Sequence, residues 1–161
     1  MQKITPFLWF NDNLEEAMNF YTSVFKNAKV DWTRKYGAEG PGKPGSLMTA
    51  TFEIEGQKFM GINGGPVFQF TPAISFFVDC KTQEEVDDLW EKLSEGGEKG
   101  QCGWLKDKYG LSWQIVPSML REVLGGTNKE GAGRAMRAMM KMTKLDGNIL
   151  KQAYDGELVT E

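Results

Sequence analysis

The feature that most limits what this chain can fold into is a pattern that occurs twice. ITPFLWF at 4–10 has the β-branched and aromatic content of a strand. Asn11-Asp12-Asn13 follows as a cap, and LEEAMNFYTSVF then carries Leu14, Ala17, Met18, Tyr21, Val24 and Phe25 at helical spacing. About seventy residues on, AISFFVDC at 73–80 is again a strand. Thr82 stands three residues before Glu85 in a capping-box arrangement, opening a helix whose apolar face is Val86, Leu89, Trp90 and Leu93. Strand material follows each helix. In the first half it is VDWTRKY, SLMTATFEIEG and QKFMGIN, with a turn at Gly56. In the second it is GQCGWLK and GLSWQIVP, with a turn at Asp107-Lys108-Tyr109-Gly110. The expected architecture is α+β: two βαβββ modules, about 3–66 and 72–117, within a domain spanning 1–117, with Gly64-Gly65-Pro66 at the crossover.

Composition removes several functions. The 161 residues suffice for one domain with a real core, or for two small halves. A net charge of -3 and a pI near 5.2 give no general attraction to nucleic acid or anionic membranes. The apolar run before Asn11 is too short for a signal segment or a span, so the expected location is cytoplasmic. The absence of histidine excludes Ser-His and Cys-His nucleophilic schemes and removes the commonest metal ligand. Cys80 and Cys102 read as free thiols. The GPGKPGS stretch, 40–46, lacks GK[ST] and does not lead from a strand into a helix; it reads as a flexible loop, a lid over a cavity. No G-x-G-x-x-G follows a strand and opens a helix.

ITPFLWF, EEAMNFYTSVF, GPGKPGSLMTATFEIEGQKFMGINGGP and CGWLKDKYGLSWQIVP resemble the PhnB-like branch of the vicinal oxygen chelate superfamily, which includes glyoxalase, bleomycin resistance and extradiol dioxygenase proteins. Members of this branch are often labelled 3-demethylubiquinone-9 3-methyltransferase. The resemblance covers roughly residues 3–117. It implies an open, curved antiparallel or mixed sheet around a cavity, helices on the outer face, metal ligands from the first and last strand of each module, and a homodimer. In the superfamily pattern a turn glycine precedes a glutamate ligand by four residues. Gly110 stands four before Gln114, and Gly56 four before Met60. The matching first-strand positions fall near Thr5 and Ala73. None of these is a carboxylate or imidazole, so the expectation is no metal and no cofactor.

Strand alternation sends Ile4, Pro6, Leu8 and Phe10 to one face and Thr5, Phe7 and Trp9 to the other. Ile74, Phe76 and Val78 separate from Ser75, Phe77 and Asp79 in the same way. With the first sets under the helices, the expected ligand pocket is Phe7, Trp9, Met60, Ser75, Phe77, Trp104 and Gln114, mostly apolar with a few polar groups. The competing reading is that these aromatics fill the sheet, and Trp104 and Trp113 read first as core. Glu53, Asp79 and Asp107 lie near strand ends, where lone acids are usually solvated, and no catalytic residue is assigned. The expected function is metal-independent binding, or weak catalysis, of a small apolar or aromatic molecule. The alternative is a metal-dependent lyase, isomerase or dioxygenase using Gln114; a methyltransferase would have to bind S-adenosylmethionine without the usual motif. Residues 118–161 read as a helical extension packed on the modules or on a second subunit. It comprises SMLREVL, a Gly125-Gly126 break, a helix with Met136, Met139 and Met140 on one face and solvated Arg134, Arg137, Lys141 and Lys144, and DGNILKQAYDG.

Overall fold

The computed structural model describes residues 2–157. The chain divides into two compact units, one ending at Phe70 and the other beginning at Thr71. The first contains β1 (Phe7–Phe10), α1 (Leu14–Val24), β2 (Ala28–Lys35), β3 (Leu47–Ile54) and β4 (Gln57–Asn63), in sheet order β1-β4-β3-β2. The second contains β5 (Ser75–Cys80), α2 (Gln83–Ser94), β6 (Glu98–Lys99), β7 (Trp104–Lys106) and β8 (Ser112–Pro117), in sheet order β5-β8-β7-β6. In each unit the first strand lies parallel to the last, and the remaining pairings are antiparallel. The repeat read from the sequence is therefore a repeat of topology.

Each helix covers one face of its own sheet. Leu14, Ala17, Met18 and Tyr21 are buried, and Tyr21 stacks on Phe52, which stacks on Phe59. Gly61 makes this approach possible, because a Cβ there would stand 2.5 Å from Leu14 Cδ1. The cap of α1 is not the one the sequence suggests. Asn13 makes no side-chain cap bond, and Asn63 Oδ1, at the end of β4, accepts from the Leu14 amide at 2.9 Å. In the second unit Thr82 Oγ1 accepts from Glu85 N at 3.2 Å, as expected, while Glu85 reaches back to the Lys81 amide at 2.8 Å.

Both first strands start later than expected. The Met60 amide donates to the Pro6 carbonyl, so the ladder begins there, and Ile4 is 86% exposed instead of lying under α1. Ile74, likewise outside β5, is exposed and donates to Thr71 O in a turn. GQCGWLK is a strand only over its last three residues, since Cys102 and Gly103 both have positive φ and turn the chain.

The extension forms α3 (Met119–Gly125), α4 (Lys129–Met139) and α5 (Gly147–Asp155), which pack on one another and belong to the second unit. Cys102 N and Gly103 N donate to Met142 O and Thr143 O, and Gln83 bonds both Leu145 O and Gly147 N. Arg134, expected on a solvated face, donates to Ala153 O and Tyr154 O near the end of α5. Met136 and Met140 are exposed. Among the described residues no helix is long and apolar enough to cross a membrane.

Candidate functional site

The helix-free faces follow from strand register. In the first unit Phe7 lies opposite Met60, Met60 opposite Thr51, and Thr51 opposite Trp32, so the four share one face. Trp9 lies two residues on from Phe7 and faces the same way. Its indole donates to Gly65 O at 2.9 Å, and its ring meets Phe68 edge-on with centroids 5.0 Å apart. Leu8 and Phe10 point to α1 and are buried, while Phe7 is 52% exposed. The GPGKPGS loop is fastened rather than free. Tyr36 exchanges backbone bonds with Gly45 and Ser46, its ring lies against Gly40 and Gly42, and its hydroxyl donates to Asn63 O.

In the second unit Phe77 lies opposite Gln114, and Gln114 opposite Trp104. Gln114 Nε2 donates to Ser75 Oγ at 3.0 Å, which fixes the amide and leaves its carbonyl oxygen with capacity to accept. Phe77 is 56% exposed and Trp104 is half-buried, whereas Trp113 points the other way and is buried against Phe76. The expected pocket residues thus gather in two sets: Phe7, Trp9 and Met60 in one unit, and Ser75, Phe77, Trp104 and Gln114 in the other.

Met60 and Gln114 occupy the same place in their sheets, as counted from their glycines. The two first-strand positions are not equivalent: Thr5 and Ser75 stand two residues before the strand partners Phe7 and Phe77, so Ser75, not Ala73, is the counterpart of Thr5. A divalent ion would find one amide, hydroxyls, a thioether and phenyl rings at these positions, a donor set that does not fit it. Among the described residues no three His, Cys, Asp or Glu side chains are grouped to hold a metal ion.

Of the three strand-end acids, Asp107 is the exception to solvation. It is 2% exposed, its Oδ1 accepts from the Tyr109 and Leu111 amides, and its Oδ2 accepts from Trp113 Nε1. It ties the turn before β8 to the core and so sets the phase that turns Gln114 outward. Asp79 is exposed. Cys80 is a free, buried thiol, pushed up to about 12 by burial and then by the negative charge of Glu85. Trp32 went unnoticed in the sequence; its place beside Thr51 and Met60 depends on a register shift between Val30 and Trp32 that no periodicity announces.

Two modules, each a mixed sheet of order first-last-third-second with a helix on one face, define the vicinal oxygen chelate fold. The chain belongs to the 3-demethylubiquinone-9 3-methyltransferase family, the PhnB-like proteins, whose family model matches residues 2–116. The PhnB protein from Bacillus cereus is 44% identical, with a TM-score of 0.67, over 72% of this chain and 99% of that one. Protein PA1353 from Pseudomonas aeruginosa is 20% identical over 73% and 98% of the two chains, with a TM-score of 0.60. The fosfomycin resistance protein FosX from Listeria monocytogenes, solved with Mn(II) and sulfate, is 16% identical over 78% and 97%, with a TM-score of 0.53. No curated protein matches the chain.

Proposed function

We propose that this chain is a metal-independent binding protein for a small apolar or aromatic molecule, which it takes on the helix-free sheet faces, and that it works as a cytoplasmic homodimer. One observation carries the reading: the two last-strand positions, Met60 and Gln114, lie mid-sheet beside half-exposed phenyl rings, Phe7 and Phe77, instead of among ionised donors. Aromatic walls with one oriented amide suit a planar ligand carrying a single hydrogen-bond donor. Gln114, held by Ser75, would accept that donor, and Phe77 and Trp104 would flank the ring.

The methyltransfer in the family's name finds no support in these residues. The strand-to-helix turns are Asn11-Asp12-Asn13 and Lys81-Thr82, with no glycine in either, and neither sheet is a doubly wound parallel sheet. The test is a titration with 2-naphthol in the presence of EDTA, followed by tryptophan fluorescence, with elemental analysis after exposure to Zn, Mn, Ni and Fe(II). The expected result is saturable quenching, weakened about ten-fold by Phe77→Ala and by Gln114→Ala, with retained metal far below one per chain. Stoichiometric metal that is lost in Gln114→Ala would overturn the proposal.

A further inference from the structure

The helix-free face of the second unit does not end at Gln114. Two residues further along β8, Val116 lies opposite Asp79 of β5, and the chain then turns through Pro117 into α3. There Phe77, Val116, Leu120 and Leu124 wall a cleft of about 150 Å³, with Asp79 and Arg121 among its lining. Leu120 and Leu124 are four apart and share one side of α3. The cleft is smaller than the roughly 300–1,000 Å³ of pockets for drug-sized ligands, so it has room only for a small molecule.

Its two charges, on the exposed residues Asp79 and Arg121, have opposite sign. Lys144 pairs with Asp87 and Lys92 with Asp88, yet Asp79 and Arg121, lining one cleft, form no ion pair with each other or with any other described residue. A guanidinium left open beside an apolar wall is suited to a carboxylate, and an open carboxylate to an ammonium group. Both together, in a cleft otherwise lined by aliphatic and phenyl side chains, suit one molecule carrying both charges and an apolar body. Leu120, Arg121 and Leu124 lie beyond residue 116, where the family match ends, so this end of the site is added by the extension.

We infer that the cleft binds a small zwitterion with a branched aliphatic body, that is, a free apolar α-amino acid, with its carboxylate on Arg121, its ammonium on Asp79 and its side chain against Phe77, Leu120 and Leu124. The inference rests on the proposed ligand-binding reading of this face, since both use Phe77.

The experiment is an NMR titration of the isotope-labelled full chain with three near-isosteric probes: L-leucine, 4-methylpentanoate, which lacks the ammonium, and 3-methylbutylamine, which lacks the carboxylate. Leucine is expected to shift the amides of 77–79 and 119–124 and to bind at least about ten-fold tighter than either analogue, one charge-assisted contact being worth about that factor. Arg121→Ala is expected to bring leucine down to the level of the amine, and Asp79→Ala to the level of the acid. Leucine binding no tighter than both analogues, or binding unchanged in Arg121→Ala, overturns the inference. A parallel 2-naphthol titration separates the two readings. Naphthol binding that depends on Gln114, with no leucine effect, removes the cleft alone; leucine binding that depends on Arg121, with no naphthol effect, removes the aromatic site and leaves the cleft.

Discussion

Replacing Asp107 by Asn changes one atom and is expected to cost about 3 kcal/mol. The carboxylate is 2% exposed and accepts from two turn amides on Oδ1, at 2.9 and 3.0 Å, and from the Trp113 indole on Oδ2 at 2.9 Å. An asparagine that keeps its oxygen on the amides turns an N–H toward the indole N–H. That removes one hydrogen bond to a charged acceptor, worth about 1.5–3 kcal/mol, and leaves a buried donor unpaired at about 1–3 kcal/mol, two losses that overlap rather than add. For a chain of this length the melting temperature should fall by about 6–12 °C. The cause is isolated by a cycle with Trp113→Phe. Without the indole N–H the asparagine has nothing to oppose, so Asp107→Asn should cost about 1–3 kcal/mol less when Trp113→Phe is already present. Urea unfolding followed by far-UV circular dichroism measures all four proteins without relying on Trp113 as a reporter. Additivity within about 0.5 kcal/mol would show that the indole bond does not anchor the turn, and the account of how β8 is phased would fall with it.

The pairing of the extension with α2 should depend on pH. Lys144, and then Gln83, hold the Asp87 carboxyl below its ordinary value. A carboxyl depressed in the folded state stabilises above its unfolded value and loses that contribution as pH falls through the folded one. Wild type should therefore exceed Lys144→Met by about 0.5 kcal/mol at neutral pH, modest because the pair is half-exposed, and the gap should close below the ordinary value of 3.8; a gap that widens in acid would refute this. A thiol reagent at pH 8 should modify Cys102 in the native protein and leave Cys80, held protonated by burial, until urea is added; release of two equivalents without urea would contradict it. Gly103→Ala should destabilise the second unit more than Gly110→Ala. Both sites have positive φ, costing an alanine about 1–2 kcal/mol, but at Gly103 the new Cβ would also stand 2.8 Å from Ile115 O and 3.0 Å from Leu145, whereas Gly110 faces open space. Equal unfolding midpoints for the two variants would count against a close approach at Gly103.

What could be read from the sequence depended on whether the signal was local. The Thr82–Glu85 cap, the buried stripe of α1 and the alternation of Leu8 and Phe10 with Phe7 and Trp9 each lie within a few residues, and each is present. Asn63 capping α1 from 49 residues away, Gly61 admitting Leu14, and an acid buried by a tryptophan six residues on are long-range or shape-dependent, and composition gives no hint of them. The candidate site falls between these cases. Gly56 and Gly110, at φ of 81° and 87°, each form a turn that only a residue free of a Cβ adopts without strain, and each turn leads directly into a last strand. Counting from such a fixed turn finds Met60 and Gln114 at equivalent places. Counting backward along a first strand has no such anchor, and it drifts by two residues at Ala73. Two residues is a whole period of the pleat, so the drift keeps the face and misses the position. That is why strand alternation placed Ser75 on the same face as Phe77 and Gln114, while its bond to the Gln114 amide, and its standing as the counterpart of Thr5, came only through the register of β5 on β8.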